Sequence, residues 1–148
     1  MKLSEDQYLK ERLEDQIKWY DTKSTHYQKT YKWMKRVELV SAALIPILST
    51  QSSDWVSFAL IVSILGAIVV IIEGVVSLGK YHENWIDYRS ICETLKQEKY
   101  MYLTLTGVYK TSPNEAFDLL VERIESVISK ENVNWANLHS PKKGEKSE

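Results

Sequence analysis

The sequence predicts an all-α membrane protein, a two-span transmembrane helical hairpin continuing into a cytoplasmic helical bundle. Three observations predict it. Residues 55–78 form one long apolar run. Basic side chains flank the apolar region at both ends and are missing from its middle. The remaining segments repeat apolar residues at helical spacing. A chain of 148 residues has room for one modest core. Nineteen Lys and Arg against 20 Asp and Glu leave a net charge of −1. That balance argues against a dedicated nucleic-acid binder, whose footprint is a basic excess or stripe. The single cysteine, Cys92, excludes an internal disulfide and a multi-cysteine metal site. The mean hydropathy of −0.31 looks soluble only because the apolar residues are concentrated in the middle.

Each element follows in chain order. Ser4 and Gln7 fit a capping box that opens a cytoplasmic helix over 4–36. From there Leu9, Leu13, Ile17, Tyr20, Tyr27, Tyr31, Met34 and Val37 recur at steps of three, four or seven, one face of a helix. A helical rod of that length is roughly 50 Å long. The first span is placed at 37–53. It contains Glu38 and Pro46, and only residues 39–53 are free of charge, so length alone also permits a re-entrant or interfacial segment. Pro46 removes one helical hydrogen bond and is expected to kink this span.

The second span, 55–79, is the stronger one. Eighteen of the 24 residues in 55–78 are apolar and 55–72 carries no charge. A helix of that length is roughly 36 Å long, enough to cross the hydrocarbon layer with some tilt. The alternative, a buried helix in a soluble core, requires more surrounding protein than a chain this short supplies.

Charge placement favours two spans over one. Residues 18–36 hold six basic side chains (Lys18, Lys23, Lys29, Lys32, Lys35 and Arg36), residues 80–99 hold four (Lys80, Arg89, Lys96 and Lys99), and the intervening linker holds none. A hairpin puts all ten on one side, as the positive-inside tendency expects. Tyr31, Trp33, Trp55, Tyr81 and Trp85 fall at the expected water interfaces. Both termini are therefore expected in the cytoplasm, at the inner membrane. No signal-peptide pattern precedes residue 37.

After the second span, Tyr81, Trp85, Tyr88, Cys92, Leu95 and Tyr102 continue the helical period over 80–106, with Gly79 the one residue able to interrupt it. Gly107 and Thr111-Ser112-Pro113 mark a turn. Ser112 as N-cap, Pro113 in the first turn and Glu115 at the third position open a third cytoplasmic helix over 113–131, whose apolar face holds Phe117, Leu120, Val121, Ile124, Val127 and Ile128. Residues 1–139 read as one domain and 140–148 as a disordered tail.

The segment 85–109 reads WIDYRSICETLKQEKYMYLTLTGVY. Its Trp85, Tyr88, Arg89, Glu93, Leu95, Lys96, Glu98 and closing Tyr109 resemble the post-membrane motif of the SLATT superfamily, small two-span bacterial membrane proteins largely catalogued as a domain of unknown function. The segment 8–33 is similar to the region before that superfamily's first span. The resemblance covers residues 8–130. It implies an oligomeric pore-forming effector of bacterial conflict or stress response. No fused sensor or nucleotide-synthesising domain is expected within these 148 residues.

Glu73 is the leading functional candidate, because an ionisable group at membrane depth is costly to place. It is expected to line a cation pathway in an oligomer, with Ser63, Gly66 and Gly74 beside it. The alternative is a snorkelling carboxylate paired with Lys35, Arg36 or Lys80. Glu38, at the same depth in the first span, reads as interfacial. Ala59, Ser63 and Ala67 lie four apart and suit helix packing in lipid, either between copies or within the hairpin; Pro46 joins them as a packing candidate.

Tyr27, Tyr31, Trp85, Tyr88 and Tyr102 suggest a stacking platform for nucleotides, but stripes at helical spacing are more often core. Arg89 is expected to pair within the bundle, with Glu93 one turn on. His26, His82 and His139 lack metal-ligand spacing, no glycine-rich phosphate loop or nucleophile elbow is present, and Cys92 reads as a buried inert thiol. No enzyme, cofactor, metal site or nucleic-acid partner is expected. The expected partners are membrane lipid, further copies of the chain, and a protein docking on the cytoplasmic bundle if the chain is a non-conducting adaptor.

Overall fold

The computed structural model describes residues 3–50 and 55–139. The expected disordered tail and the centre of the interhelical linker lie outside them. The described residues are helical, with no strand among them: α1 (Glu5–Gln7), a π-helical segment (Tyr8–Glu14), α2 (Asp15–Ser49), α3 (Trp55–Gly79), α4 (Tyr81–Leu103), a 3-10 turn (Gly107–Tyr109) and α5 (Pro113–His139). They divide into two compact units, one made of Met1–Trp19 with Ser90–Glu148 and the other of Tyr20–Arg89.

In the first unit the capping box forms as expected. The Gln7 N–H donates to Ser4 Oγ at 3.3 Å and the Ser4 N–H donates to Gln7 Oε1 at 3.2 Å. The helix then departs from the expected α spacing. Tyr8 and Leu13 are both buried while Leu9 is half-buried, and a five-residue step belongs to the π-helix. The widened turn aims Tyr8 and Arg12 at α5. There Glu125 Oε1 accepts from the Tyr8 hydroxyl at 3.1 Å and from Arg12 Nε at 3.0 Å, and Glu125 Oε2 accepts from Arg12 Nη2 at 2.8 Å.

Leu13, Cys92, Leu95, Tyr109, Ala116, Leu120 and Ile124 are fully excluded from solvent. Each of the leucines and the isoleucine contributes roughly 1.5–3 kcal/mol by burial. The Cys92 thiol donates to the Ile17 carbonyl at 3.6 Å and is buried, as its place on the apolar face implied.

The helix expected over 80–106 is shorter, α4 ending at Leu103. Leu105 adopts the left-handed conformation with φ +50°, the Leu105 N–H donates to the Tyr102 carbonyl and the Thr106 N–H to the Met101 carbonyl, both at 3.0 Å. This pair of bonds is the Schellman motif, with leucine at the position glycine usually holds. Gly107, with φ +62°, carries the chain into the 3-10 turn. In α5 the Ala116 N–H donates to the Ser112 carbonyl at 2.9 Å and Glu115 accepts from the Thr111 hydroxyl. That helix runs on to His139, past the expected end at 131.

In the second unit, α2 passes through Pro46 to Ser49 without ending. The hydroxyls of Ser49 and Thr50 donate back to the Ile45 and Ile47 carbonyls at 2.7 and 2.9 Å, closing the end of the helix. The break between α3 and α4 falls at Lys80, with φ +46°, and Asn84 secures it by donating to both Lys80 and Gly79 carbonyls. Gly79 is needed because a Cβ there would run into the Tyr81 ring.

Candidate functional site

Helical spacing puts Lys35 and Glu38 on one face of α2, and α3 brings Glu73 to them. Lys35 Nζ lies 2.5 Å from Glu73 Oε2 and 3.0 Å from Glu38 Oε2. The contact to Glu73 is a hydrogen bond; the one to Glu38 is an ion pair outside hydrogen-bonding geometry. One ammonium thus serves two carboxylates and the cluster keeps a negative charge. The Glu73 side chain is 57% exposed against 20% for Glu38, so the charge points outward on α3. Of the three cations considered for Glu73, Lys35 is the one that holds it. Pairing of this kind lowers the cost of placing a carboxylate in a low-dielectric environment.

Along α3, the Ser63 hydroxyl donates to the Ala59 carbonyl at 2.8 Å and is satisfied within its own helix. Ala59, Ser63 and Ala67 are exposed. A Cβ built at Gly66 or Gly74 meets nothing within 4 Å, so packing within the hairpin does not explain either glycine. Leu60, Ile61, Ile64, Val70, Ile71 and Leu78 are also exposed. Pro46 is exposed on α2, beside the exposed Leu44 and Ile47.

Directly before this cluster the aromatic residues pack on one another. Tyr88 lies 6.1 Å from Tyr20 and 5.6 Å from Tyr27, Tyr27 lies 5.6 Å from Tyr81, and Tyr31 lies 5.1 Å from His82 and 6.4 Å from Trp85, centroid to centroid. These mostly half-buried rings pack tilted against one another, which favours the packing reading of the stripe over an open stacking platform. The Trp85 carbonyl accepts from Ser24 Oγ at 3.4 Å, and Arg89 Nη1 donates to Asp21 Oδ1 at 3.2 Å. The remaining motif residues fall in the other unit. Leu95 is core, Lys96 meets Glu93 at 3.3 Å on the surface, and Tyr109 is buried. Trp85, Tyr88 and Arg89 are thus packing and pairing residues of one unit, and Glu93, Leu95, Lys96 and Tyr109 of the other.

The charged centre of the first unit is Glu98. Its Oε2 accepts from the Tyr109 hydroxyl at 2.5 Å and from Arg123 Nε at 2.8 Å, and its Oε1 accepts from Arg123 Nη2 at 2.5 Å. The Arg123 guanidinium holds the Glu98 carboxyl below its usual range, and burial followed by the Glu98 charge pushes the Tyr109 phenol up. Arg12 likewise lowers Glu125, while burial and then Glu125 raise Tyr8. A shallow pocket of about 370 Å³ lies between Glu98 and residues 119–130 of α5. Sequence reasoning named Glu98 only as a motif residue and missed its pairing with Arg123 and the pairing of Arg12 with Glu125. A signal existed for Glu98, which falls on the apolar face between Leu95 and Tyr102. Among the described residues, no group of three or more His, Cys, Asp or Glu side chains is arranged to hold a metal ion.

No curated protein and no solved structure matches the chain. One family model does, over residues 15–116, and its description is "Protein of unknown function (DUF4231)". The match covers well over half of the chain and takes in α2, α3, α4 and the start of α5. On that extent, the chain belongs to the uncharacterised DUF4231 family.

Proposed function

We propose that this chain is a two-span inner-membrane protein with both termini cytoplasmic, whose copies assemble into an ion-conducting pore. Resemblance to the SLATT superfamily implies the same reading. α3 is long and apolar enough to cross a membrane, and α2 supplies a shorter second crossing that exposes Leu39, Val40, Leu44 and Ile47. A single hairpin cannot enclose a water path, so conduction needs several copies. The observation that carries the proposal is Glu73, an outward-facing carboxylate in an otherwise apolar helix, held in a cluster with excess negative charge. In an assembled ring such carboxylates select cations. The open surface at Gly66 and Gly74 is where a neighbouring helix can approach closely.

The test is ion flux in liposomes holding the purified protein, with its oligomeric mass measured in the same detergent. A defined oligomer is expected to pass cations, and Glu73→Gln is expected to reduce the preference for cations over anions while the mass stays the same. A stable monomer without flux overturns the pore. It leaves the second reading, a non-conducting adaptor, which the engagement of Glu73 by Lys35 within one chain favours.

A further inference from the structure

We infer that α2 carries a binding ridge for an anionic phospholipid, with Lys29, Lys32 and Arg36 receiving the phosphate-bearing headgroup and Val40, Leu44 and Ile47 lying along an acyl chain. The inference rests on the membrane reading above and deepens it by naming the lipid class.

Residues 22–37 contain five Lys or Arg and no acidic residue. Lys35 is taken up by Glu38 and Glu73. Lys29, Lys32 and Arg36 stand at steps of three and four, so they share one face of the helix. All three are exposed, and among the described residues none of them forms an ion pair. Trp33, 64% exposed, sits in the same stripe. The Lys32 ammonium lies over the Trp85 ring, 5.5 Å from its centroid, a cation–π contact that positions the charge while the side chain stays exposed.

The same ridge continues through Val40, Leu44 and Ile47, all exposed. It therefore changes from cationic through indole to apolar along one line. From Lys29 to Arg36 is roughly 10 Å of helix axis, comparable with the headgroup layer of roughly 5–8 Å in each leaflet. Arg36, nearest the apolar part, has the planar fork that matches a phosphodiester, and the two lysines are point charges suited to the outer headgroup. An acidic peptide fits the cations but not the exposed aliphatic continuation. A phospholipid fits both.

The experiment uses the full chain, reconstituted in a two-to-one mixture of phosphatidylcholine and phosphatidylglycerol, then extracted gently and analysed by native mass spectrometry for retained lipid. Phosphatidylglycerol is expected to be enriched over phosphatidylcholine, by about a hundredfold at low salt if each of three cations contributes about fivefold. The enrichment should fall as salt rises. The triple substitution Lys29→Gln, Lys32→Gln, Arg36→Gln is expected to abolish it, while Lys110→Gln with Lys130→Gln, which removes cations of the other unit, is expected to leave it intact.

Equal loss in both variants, or no enrichment in the wild type, overturns the inference. Displacement of the lipid by inorganic phosphate alone also overturns it, because the ridge would then be a plain anion site. Resistance of the wild type to alkaline extraction from membranes is measured alongside. A protein that resists extraction yet shows no lipid preference fails this inference only, whereas one that is extracted fails the membrane reading itself.

Discussion

Glu98→Gln removes one charge while keeping the side chain's size, and the structure sets what it costs. Glu98 Oε2 accepts from both Tyr109 and Arg123 Nε, and Oε1 accepts from Arg123 Nη2. Whichever way a glutamine amide turns, its NH2 group faces at least one guanidinium donor. A hydrogen bond to a charged group is worth roughly 1.5–3 kcal/mol. With the amide oxygen turned to the Oε2 position the Tyr109 bond is kept but falls from a charge-assisted to a neutral one, a loss of roughly 1–1.5 kcal/mol in a wholly buried site. Arg123, 43% exposed, recovers hydration and counts for less. The sum is a loss of about 2 kcal/mol, large against a total stability of about 5–15 kcal/mol.

The assay is amide hydrogen exchange of α5 around Leu120 and Ile124 in the detergent-solubilised full chain. A loss of about 2 kcal/mol speeds exchange roughly thirtyfold. Glu125→Gln provides the comparison. Its pair with Arg12 is 41% exposed on both sides and its bond from the Tyr8 hydroxyl is longer, 3.1 Å, so its loss is smaller, about 1 kcal/mol. Glu93→Gln weakens a surface pair with Lys96 and is expected to cost well under about 1 kcal/mol. The reasoning is refuted if Glu98→Gln exchanges no faster than Glu93→Gln, or if Glu125→Gln is the worse of the two pair-breaking changes.

The same pairs set an acid limit. The folded state depresses the Glu98 and Glu125 carboxyls below their ordinary value of 4.5, so the stability they contribute is complete above that pH and is lost as pH falls through the folded values. Melting temperature should stay level from neutral pH down to about 4.5 and then drop, less steeply in Glu98→Gln; a fall that begins near neutrality contradicts this. Leu105→Gly relieves a left-handed leucine that is half exposed, worth about 1 kcal/mol, and should raise the melting temperature by roughly 3 °C; a lower value would mean that the leucine side chain matters more than its backbone. Gly79→Ala drives a Cβ into the Tyr81 ring and should lower the melting temperature, an effect that Tyr81→Ala in the same chain should reverse. Lys35→Gln leaves Glu38 and Glu73 without their shared ammonium, and in the liposome assay the reversal potential should move toward stronger cation preference; movement the other way removes Glu73 from the conducting path.

The helices were largely legible because their signals are local. Ser4 and Gln7 close a capping box across three residues, and the spacing of Leu13, Tyr20, Cys92, Leu95, Leu120 and Ile124 marks the buried faces directly. Where the sequence misled, long-range partners decided. Leu9 fits the α period better than Tyr8, but only Tyr8 reaches Glu125, 117 positions away, and the π-helical turn follows from that contact. The end of α4 is not legible, because Leu105 gives no hint of a left-handed conformation, which a glycine there would announce. At the candidate site, the cost of a carboxylate in an apolar run singled out Glu73. Which of Lys35, Arg36 and Lys80 would meet it depends on how α2 and α3 are rotated about their axes, and spacing within either helix does not fix that.

The proposal depends first on both α2 and α3 crossing the bilayer, and one measurement addresses this directly. Thr50→Cys in a Cys92→Ser background, expressed in a bacterial inner membrane, is treated with a membrane-impermeant thiol reagent and compared with Lys110→Cys in the same background. The hairpin predicts that the cysteine at position 50 reacts from the external side while the one at 110 reacts only after the membrane is opened. Protection of position 50 until the membrane is opened, with position 110 behaving the same way, would contradict the two-span arrangement and with it the pore.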